Sequence, residues 1–496
     1  MNLDKLYDIT FPMSADKASL YFQGKYEQCD NKIVIRLGDS LDLGTYFNAF
    51  AIAKWLDYTT LIKFKVNLQL RGKFLVDFYG MTESGETEVL RIKCEGSIER
   101  AFNVLDFNDF TLIGIRLTAM SDNAEFLGGI YYGTFDTERD IKLGLTICTF
   151  KREKYLLPNL ERLKTFTQRN QNINVMVIDN GRTLDEVTSP NLQIIHNPNF
   201  GGSGGFTRGI IEQVNQAVNT HVVLMDDDIV IELSSIERLF AMLKHLKPEH
   251  QTKFFAGAML RLDEATIQHE NTAIWNGMIA NSFGKGWNLA DKATLCKNEL
   301  IPDDVNRYAG WWFCCIPVEV IKSIGYPLPI FIKGDDVEYS IRTHQEILTI
   351  NGIGVWHEAF GKKENPAIKY FSDRNMFLVN HYASGCGRMT FMLTTILKIA
   401  KRLVNRDFEN IRMLELALND LNEGFSKMTA QPLDEKFEAL KQYPLEKSLI
   451  RVIPSIIKLA ALHCLHYDEL DVDYKKFRSD NLSDQTFWLK YLNITR

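Results

Sequence analysis

The chain contains no CxxC pair and no tight grouping of cysteine with histidine; its eight cysteines (29, 94, 148, 296, 314, 315, 386 and 464) are scattered. That argues against a structural zinc site and a disulfide scaffold, and the expectation is reduced thiols in the cytoplasm. With 13 prolines and 31 glycines among 496 residues, a collagen-like or low-complexity chain is ruled out. Positive charge is not in excess: 57 Lys+Arg against 63 Asp+Glu leaves a net charge of −6, so no nucleic-acid partner is expected. The opening segment, MNLDKLYDITFPM, carries acids and no apolar run, and does not read as a signal peptide. No apolar stretch reaches the length of about 18 residues that crosses a bilayer. The nearest, Met389 to Val404, is broken by Lys398, Lys401 and Arg402. What the chain has in plenty is core material, with 45% hydrophobic residues, and its length suits two to four domains of roughly 100–200 residues each.

Three regions differ in pattern. Residues 1–138 read as β-structure. Phe64 to Arg71 alternates apolar and polar strictly, and further short runs (Glu88–Cys94, Phe102–Asp106, Thr111–Leu117, Gly129–Phe135) are divided by turn residues, as in a β-sandwich. A weak helical pattern covers Phe47–Trp55. Residues 139–387 alternate strands and helices, the mark of an open α/β sheet. Its strands are predicted at Lys142–Phe150, Asn174–Ile178, Leu192–Ile195 and His221–Met225, with helices over Phe206–Val218, Ser234–Leu246 and Val337–Gln345. In such sheets ligands bind beyond the carboxyl ends of the strands, so the loops after all four converge on one crevice. Residues 388–496 are helical in period, punctuated by Pro432, Pro444 and Pro454.

Chemistry-bearing residues gather at the predicted strand ends. Asp226, Asp227 and Asp228 follow the apolar run Val222–Met225. Adjacent carboxylates repel one another unless a cation neutralises them. Asp226 and Asp228 can project to one side of a tight turn and suit Mg²⁺ or Mn²⁺; the plainer alternative is an acidic turn capping the next helix. A glycine loop, Gly201 to Gly205, precedes the predicted helix and brings N–H groups close to an anion, with Arg208 one turn on. It departs from the dinucleotide GxGxxG, since the third glycine falls on Thr207, and it lacks the Lys-Ser/Thr of a P-loop. Asp335 and Asp336 sit at a helix start, near the aromatic pair Trp311-Trp312. His357 closes a short apolar strand and is a candidate third metal ligand.

Taken in order, Cys148-Thr-Phe-Lys-Arg152, Asp179-Asn-Gly181, Asn199-Phe-Gly-Gly-Ser-Gly-Gly-Phe206, Asp226-Asp-Asp228, Trp311-Trp312, Asp335-Asp336 and Trp356-His357 resemble family 2 glycosyltransferases of the GT-A fold, and within them the bacterial galactan galactofuranosyltransferases. The resemblance covers nearly the whole chain. It implies a GT-A catalytic domain, a Rossmann-like mixed sheet, between an N-terminal β-sandwich and a C-terminal helical region. It further implies inverting, metal-dependent transfer of galactofuranose from a UDP-sugar donor to a glycan or glycolipid acceptor. Asp226, Asp228 and His357 would hold Mn²⁺ or Mg²⁺. Asp336 would be the catalytic base and Asp335 its neighbour on the sugar hydroxyls. Thr149, Arg152, Asp179 (on uracil), Asn199, Gly201, Gly202, Arg208 and Asp227 would contact the donor, and Trp311 and Trp312 the acceptor. Gly334 stands where the family commonly carries Trp.

The sequence also allows other readings. A nucleotide-dependent oxidoreductase shares the strand–glycine–helix element, but here that element follows the third strand and the GxGxxG fails. A glycan-binding module would have no use for so many acids. Transfer of rhamnose, glucose or galactopyranose is the alternative within the same fold. Lys398, Lys401, Arg402 and Arg406 beside Leu393, Ile396 and Ile399 suit either an anionic membrane surface or packing against protein. The resemblance implies peripheral attachment to the inner face of the membrane and a homo-oligomer.

Overall fold

The computed structural model describes residues 3–29, 31–302, 307–358, 365–383, 385–441, 443 and 449–494; Pro444 lies outside them. The N-terminal region forms two antiparallel sheets. One runs Glu27–Cys29, Lys32–Ile35, Ala124–Phe135, Leu61–Arg71, Ile98–Asn103, with Leu3–Asp8 also paired to Ala124–Phe135; the other runs Gln23–Gly24, Ser40–Asp42, Leu112–Ala119, Lys73–Thr82, Gly85–Glu95. The alternation in Leu61–Arg71 buries Phe64, Val66, Leu68 and Leu70 on one face. Rings interlock in the core: the centroid of Phe64 lies 4.9 Å from that of Phe50 and 5.1 Å from that of Phe102, which is 4.9 Å from Phe78. Helix forms over Ile52–Tyr58, later than the weak pattern at Phe47–Trp55, because Phe47 and Phe50 are drawn into this core first.

The central sheet has four parallel strands side by side: Leu192–His196, Ile173–Asp179, Leu143–Thr149 and His221–Asp226. Cys314–Pro317 adds antiparallel to the last, followed by Phe254–Ala256 and Ile347–Leu348. The mixed, Rossmann-like α/β architecture implied by the resemblance is what the chain adopts. Leu143–Thr149 is buried along nearly its whole length, as its unbroken apolar run requires. Helix Glu153–Arg169 turns Leu156, Leu160, Leu163 and Phe166 inward.

A small second sheet decides where the histidine goes. Val230–Ile231, just past the acidic cluster, pairs antiparallel with Gly354–His357, and Val230 faces Trp356. Continuing that register sets His357 level with Ile229, beside Asp228. In the same way Leu224 pairs with Cys314, so Trp312 comes level with Asp226.

The glycine segment is not a loop. Helix begins at Gly201 and runs to Asn215, so the glycines form its first turns. Glycine costs a helix about 1 kcal/mol per residue relative to alanine, which is why the sequence reads as a loop here; close packing overrides that cost. A Cβ on Gly205 would stand 2.1 Å from the Cys148 sulfur, and one on Gly201, where φ is +68°, would stand 2.2 Å from the Phe331 carbonyl oxygen.

The C-terminal helices pack together and onto the sheet domain. Helix Phe408–Asn422 lies between Pro366–Val379 and Leu449–Leu465, so the bundle includes a helix that precedes residue 388. The Trp488 indole donates to the Pro327 carbonyl at 2.9 Å, fastening the last helix near the acidic pair. Two cations that the sequence offers to a membrane are turned inward instead. Lys398 and Arg402 both bond Asp373, at 2.8 and 2.6 Å. A buried carboxylate without partners would be costly, and these two helices supply them.

Candidate active site

One cavity of about 960 Å³ opens at the carboxyl ends of the parallel strands. Each of the first four strands sends residues to its wall: Thr149 and Arg152, then Asn180, then Asn199, Gly201 and Gly202, then Asp226, Asp227 and Asp228. Trp311, Trp312, Asp335, Asp336 and His357 complete it. Residues from every segment singled out in the sequence therefore reach one space.

The acidic cluster is partly compensated by protein. His357 Nε2 lies 2.9 Å from Asp228 Oδ1, and Arg152 bonds the other Asp228 oxygen while standing 3.6 Å from Asp227. Thr149 donates to Asp227 at 2.7 Å. Burial alone would lower the His357 pKa, but the Asp228 carboxylate outweighs it and holds the imidazole above its ordinary range. Burial pushes Asp226 and Asp227 up to about 6.

Asp226, Asp228 and His357 can each present a ligand atom within 4.8 Å of the others. Ligands at roughly 2.1 Å from an octahedral ion stand about 3–4.2 Å apart, so a small contraction closes this set around Mn²⁺ or Mg²⁺. Two carboxylates and an imidazole are fitting donors for such an ion.

Asp335 and Asp336 open helix Asp335–Thr343. Burial raises both carboxyls, and Asp335 is pushed further by the charge of Asp336 beside it. Asp336 accepts from the backbone N–H of Val337 at 2.9 Å. The turn leading to them is strained: Phe331, Lys333 and Gly334 all have positive φ, at 74°, 64° and 86°. Asn375 holds it there. Its side-chain amide donates to the carbonyls of Ile330, Ile332 and Lys333 at 3.0, 2.7 and 2.8 Å. Ser203 adds a tie from the glycine helix, donating through N–H to Phe331 O at 3.0 Å and through Oγ to Leu328 O at 2.6 Å.

Two residues marked for donor contact are placed away from the cavity wall. Asp179 is fully buried, and its carboxylate accepts backbone N–H groups of Gly181, Thr183 and Leu184 at 2.8, 2.7 and 2.8 Å. With both oxygens so engaged, it shapes the turn after its strand. Arg208 points along its helix to Glu212, 2.8 Å away. The tryptophans are core residues as much as wall. Trp312 donates to Gly257 O at 2.9 Å, and Trp311 packs edge-on against Phe206 and Tyr339.

Several site residues escaped the sequence reading. Asn180, which donates to Gly201 O at 2.9 Å, stands beside a residue that was marked. Asn375 carries no local signal, because its partners lie more than forty positions upstream. The helix Leu433–Lys441 also reaches the cavity; its i, i+3, i+4 pattern reads only as an amphipathic surface helix.

Comparison with known proteins decides the family of the sheet domain: the profile of the family described as "Glycosyltransferase like family 2" matches residues 142–353. Those residues are a family 2 glycosyltransferase-like domain. The chain is also 27% identical over 426 residues to the galactofuranosyltransferase GlfT2 of Mycobacterium tuberculosis (strain ATCC 25618 / H37Rv), an alignment covering 77% of this chain and 65% of that one. Against GlfT2 of Mycolicibacterium smegmatis (strain ATCC 700084 / mc(2)155) it is 27% identical over 423 residues, 77% of this chain and 64% of the relative. The chain thus spans just under two thirds of the length of these relatives. Among solved structures, S. aureus TarS 1-349 overlaps 66% of this chain and 92% of its own, at 14% identity and a TM-score of 0.35. A mannosyltransferase from Pyrobaculum calidifontis, in complex with GDP-Man and Mn²⁺, overlaps 67% and 90% at 13% identity and a TM-score of 0.32. Overlaps this loose bear on no residue's role.

Proposed function

We propose that the chain is an inverting, metal-dependent glycosyltransferase that moves galactofuranose from UDP-galactofuranose to a hydroxyl of a growing, lipid-linked cell-surface glycan. The observation that carries this is the meeting of two acidic groups on one cavity at the strand ends: Asp226, Asp228 and His357 on one side, Asp335 and Asp336 on the other. The family profile and the similarity to GlfT2 support the class and the sugar.

On this reading the donor diphosphate lies between the start of the glycine helix and the acidic cluster. The N–H groups at the helix start near Gly201 and Gly202 face the phosphates, a favourable end of the helix for anions. A divalent ion bound by Asp226, Asp228 and His357 supplies charge neutralisation for the leaving diphosphate. Arg152, already beside Asp227 and Asp228, adds a second positive charge to the same end. Asp336 accepts the proton of the acceptor hydroxyl as that oxygen attacks the anomeric carbon from the face opposite UDP. Asp335 orients sugar hydroxyls. Burial keeps both carboxyls basic enough for this work, and Asn375 and Ser203 fix the turn that aims them. Trp311 and Trp312 wall the acceptor side.

Attachment to the inner face of the membrane, and assembly into a homo-oligomer, belong to the same proposal. Among the described residues no helix is long and apolar enough to cross a membrane. Helix Arg388–Val404, however, leaves Met389, Leu393, Ile396, Leu397 and Val404 exposed along one side, with Lys401 and Arg406 nearby.

The test is product analysis. Protein incubated with UDP-galactofuranose, Mn²⁺ and an octyl galactofuranoside should yield a disaccharide whose new anomeric centre, read by proton NMR, is inverted relative to the donor. Retention of configuration removes the single-displacement scheme.

A further inference from the structure

The cavity is larger than its donor end requires, and its outer wall comes from a part of the chain far from the sheet. Helix Leu433–Lys441 contributes Asp434, Phe437, Glu438 and Lys441 to it. The spacing i, i+3, i+4, i+7 puts these four on one side of that helix. On its other side Leu433 and Leu440 are buried with Phe331, Phe371, Met413 and Ala417. Lys436 ties the helix to Asp420.

The wall is joined to the catalytic turn through aromatic rings. Phe331 lies 5.1 Å from Phe371 and 5.7 Å from Phe437, centroid to centroid, and Phe371 lies 6.1 Å from Phe437. Phe331 is in the strained turn that precedes Asp335 and Asp336. A half-buried ring flanked by carboxylates is chemistry suited to sugars, since the ring packs against C–H groups while the carboxylates accept from hydroxyls. The Lys441 ammonium now lies 4.5 Å from the Phe437 centroid and 2.7 Å from Glu438. Both partners are well exposed, so the contact is weak and readily exchanged. Asp434, Glu435 and Glu438 together disfavour a polyanionic chain at this mouth.

We infer that helix Leu433–Lys441 forms an outer acceptor subsite, which holds an uncharged sugar unit behind the one whose hydroxyl attacks. This rests on the glycosyltransferase reading above and adds the acceptor's class to it: a neutral glycan of more than one residue. A subsite remote from the reacting centre improves capture of longer acceptors, and its loss raises KM while leaving kcat at saturation unchanged.

The experiment uses the full chain with UDP-galactofuranose, Mn²⁺ and octyl glycosides carrying one, two or three galactofuranose residues. For the wild type, KM should fall about tenfold from the shortest to the longest acceptor. Phe437→Ala should abolish that fall. So should the double variant Asp434→Asn/Glu438→Gln, which changes exposed side chains only and decides the matter if Phe437→Ala does not fold. In both, donor Kd by calorimetry and acceptor-free release of UDP should stay at wild-type levels. A wild-type fall in KM retained by the double variant overturns the subsite, as does a wild type indifferent to acceptor length; in either case transfer itself continues and the functional reading stands. Absence of transfer to every acceptor overturns both.

Discussion

His357 Nε2 lies 2.9 Å from Asp228 Oδ1, while Arg152 bonds the other oxygen of the same carboxylate. Three segments distant in sequence thus meet on one side chain at the tip of the fourth parallel strand. On the proposed reading Asp228 is the residue on which donor binding turns. Asp228→Ala should abolish the Mn²⁺-dependent part of UDP-galactofuranose binding, and EDTA should do the same to the wild type. Calorimetry with and without the ion checks it; equal donor affinity in all four conditions removes the metal assignment.

Asp336 is assigned a proton, not a phosphate. Asp336→Asn should retain the fold and the donor affinity but lose roughly 10²–10⁴ in turnover, the usual worth of a general base. Steady-state kinetics beside donor calorimetry separates the two effects. A variant turning over at the wild-type rate contradicts the role.

Asn375 touches no ligand in this account; it positions the catalytic turn. Asn375→Ala would orphan the carbonyls of Ile330, Ile332 and Lys333, at a cost of about 1–3 kcal/mol if they stay dry. The expected result is a lowered Tm together with a lowered kcat and a near-normal donor Kd. Loss of stability with kcat intact would confine Asn375 to a structural part.

Gly205 and Cys148 form a steric pair. Gly205→Ala should destabilise the protein by roughly 1–3 kcal/mol, because its Cβ would meet the Cys148 sulfur. Cys148→Ala, by emptying that space, should recover much of the loss. Denaturation of the two single variants and the double variant gives the coupling.

Glu299 predicts a pH dependence of stability. It is fully buried, one oxygen accepts from Asn351 N–H at 2.7 Å, and the other has no hydrogen-bond partner. Burial raises its pKa from 4.5 to about 7, against the lowering influence of Lys54 and Arg238. A raised folded-state pKa means that the folded state holds the proton longer than the unfolded one. The stability this brings is fully present below pH 4.5 and is lost as pH climbs through 7. Glu299→Gln should remove up to roughly 3 kcal/mol of that decline, seen as a flatter Tm profile between pH 5 and 8.

Much of the fold could be read from the chain because hydrophobic period and strand ends are local signals. The run Leu143–Thr149 is apolar throughout because both its faces are covered, and Asp226 to Asp228 stand out because charge follows immediately on such a run. The errors lie where distant contacts decide. Gly201–Gly205 reads as a loop by propensity, yet it is helix because Cys148 and Phe331 press against it. Asp179 looks available to a ligand, but its own turn consumes both its oxygens. Lys398 and Arg402 look like surface cations until Asp373, on another helix, is placed between them. The part that helix Leu433–Lys441 plays in the cavity wall has no local sign at all.

The most direct measurement is a screen of UDP- and dTDP-sugars against the purified chain, read by released nucleotide with Mn²⁺ or with EDTA. UDP-galactofuranose should be turned over fastest, with release lost in EDTA and in Asp228→Ala. No release from any donor in Mn²⁺, or release indifferent to both EDTA and Asp228→Ala, would contradict a nucleotide-sugar transferase built on these strand-end carboxylates.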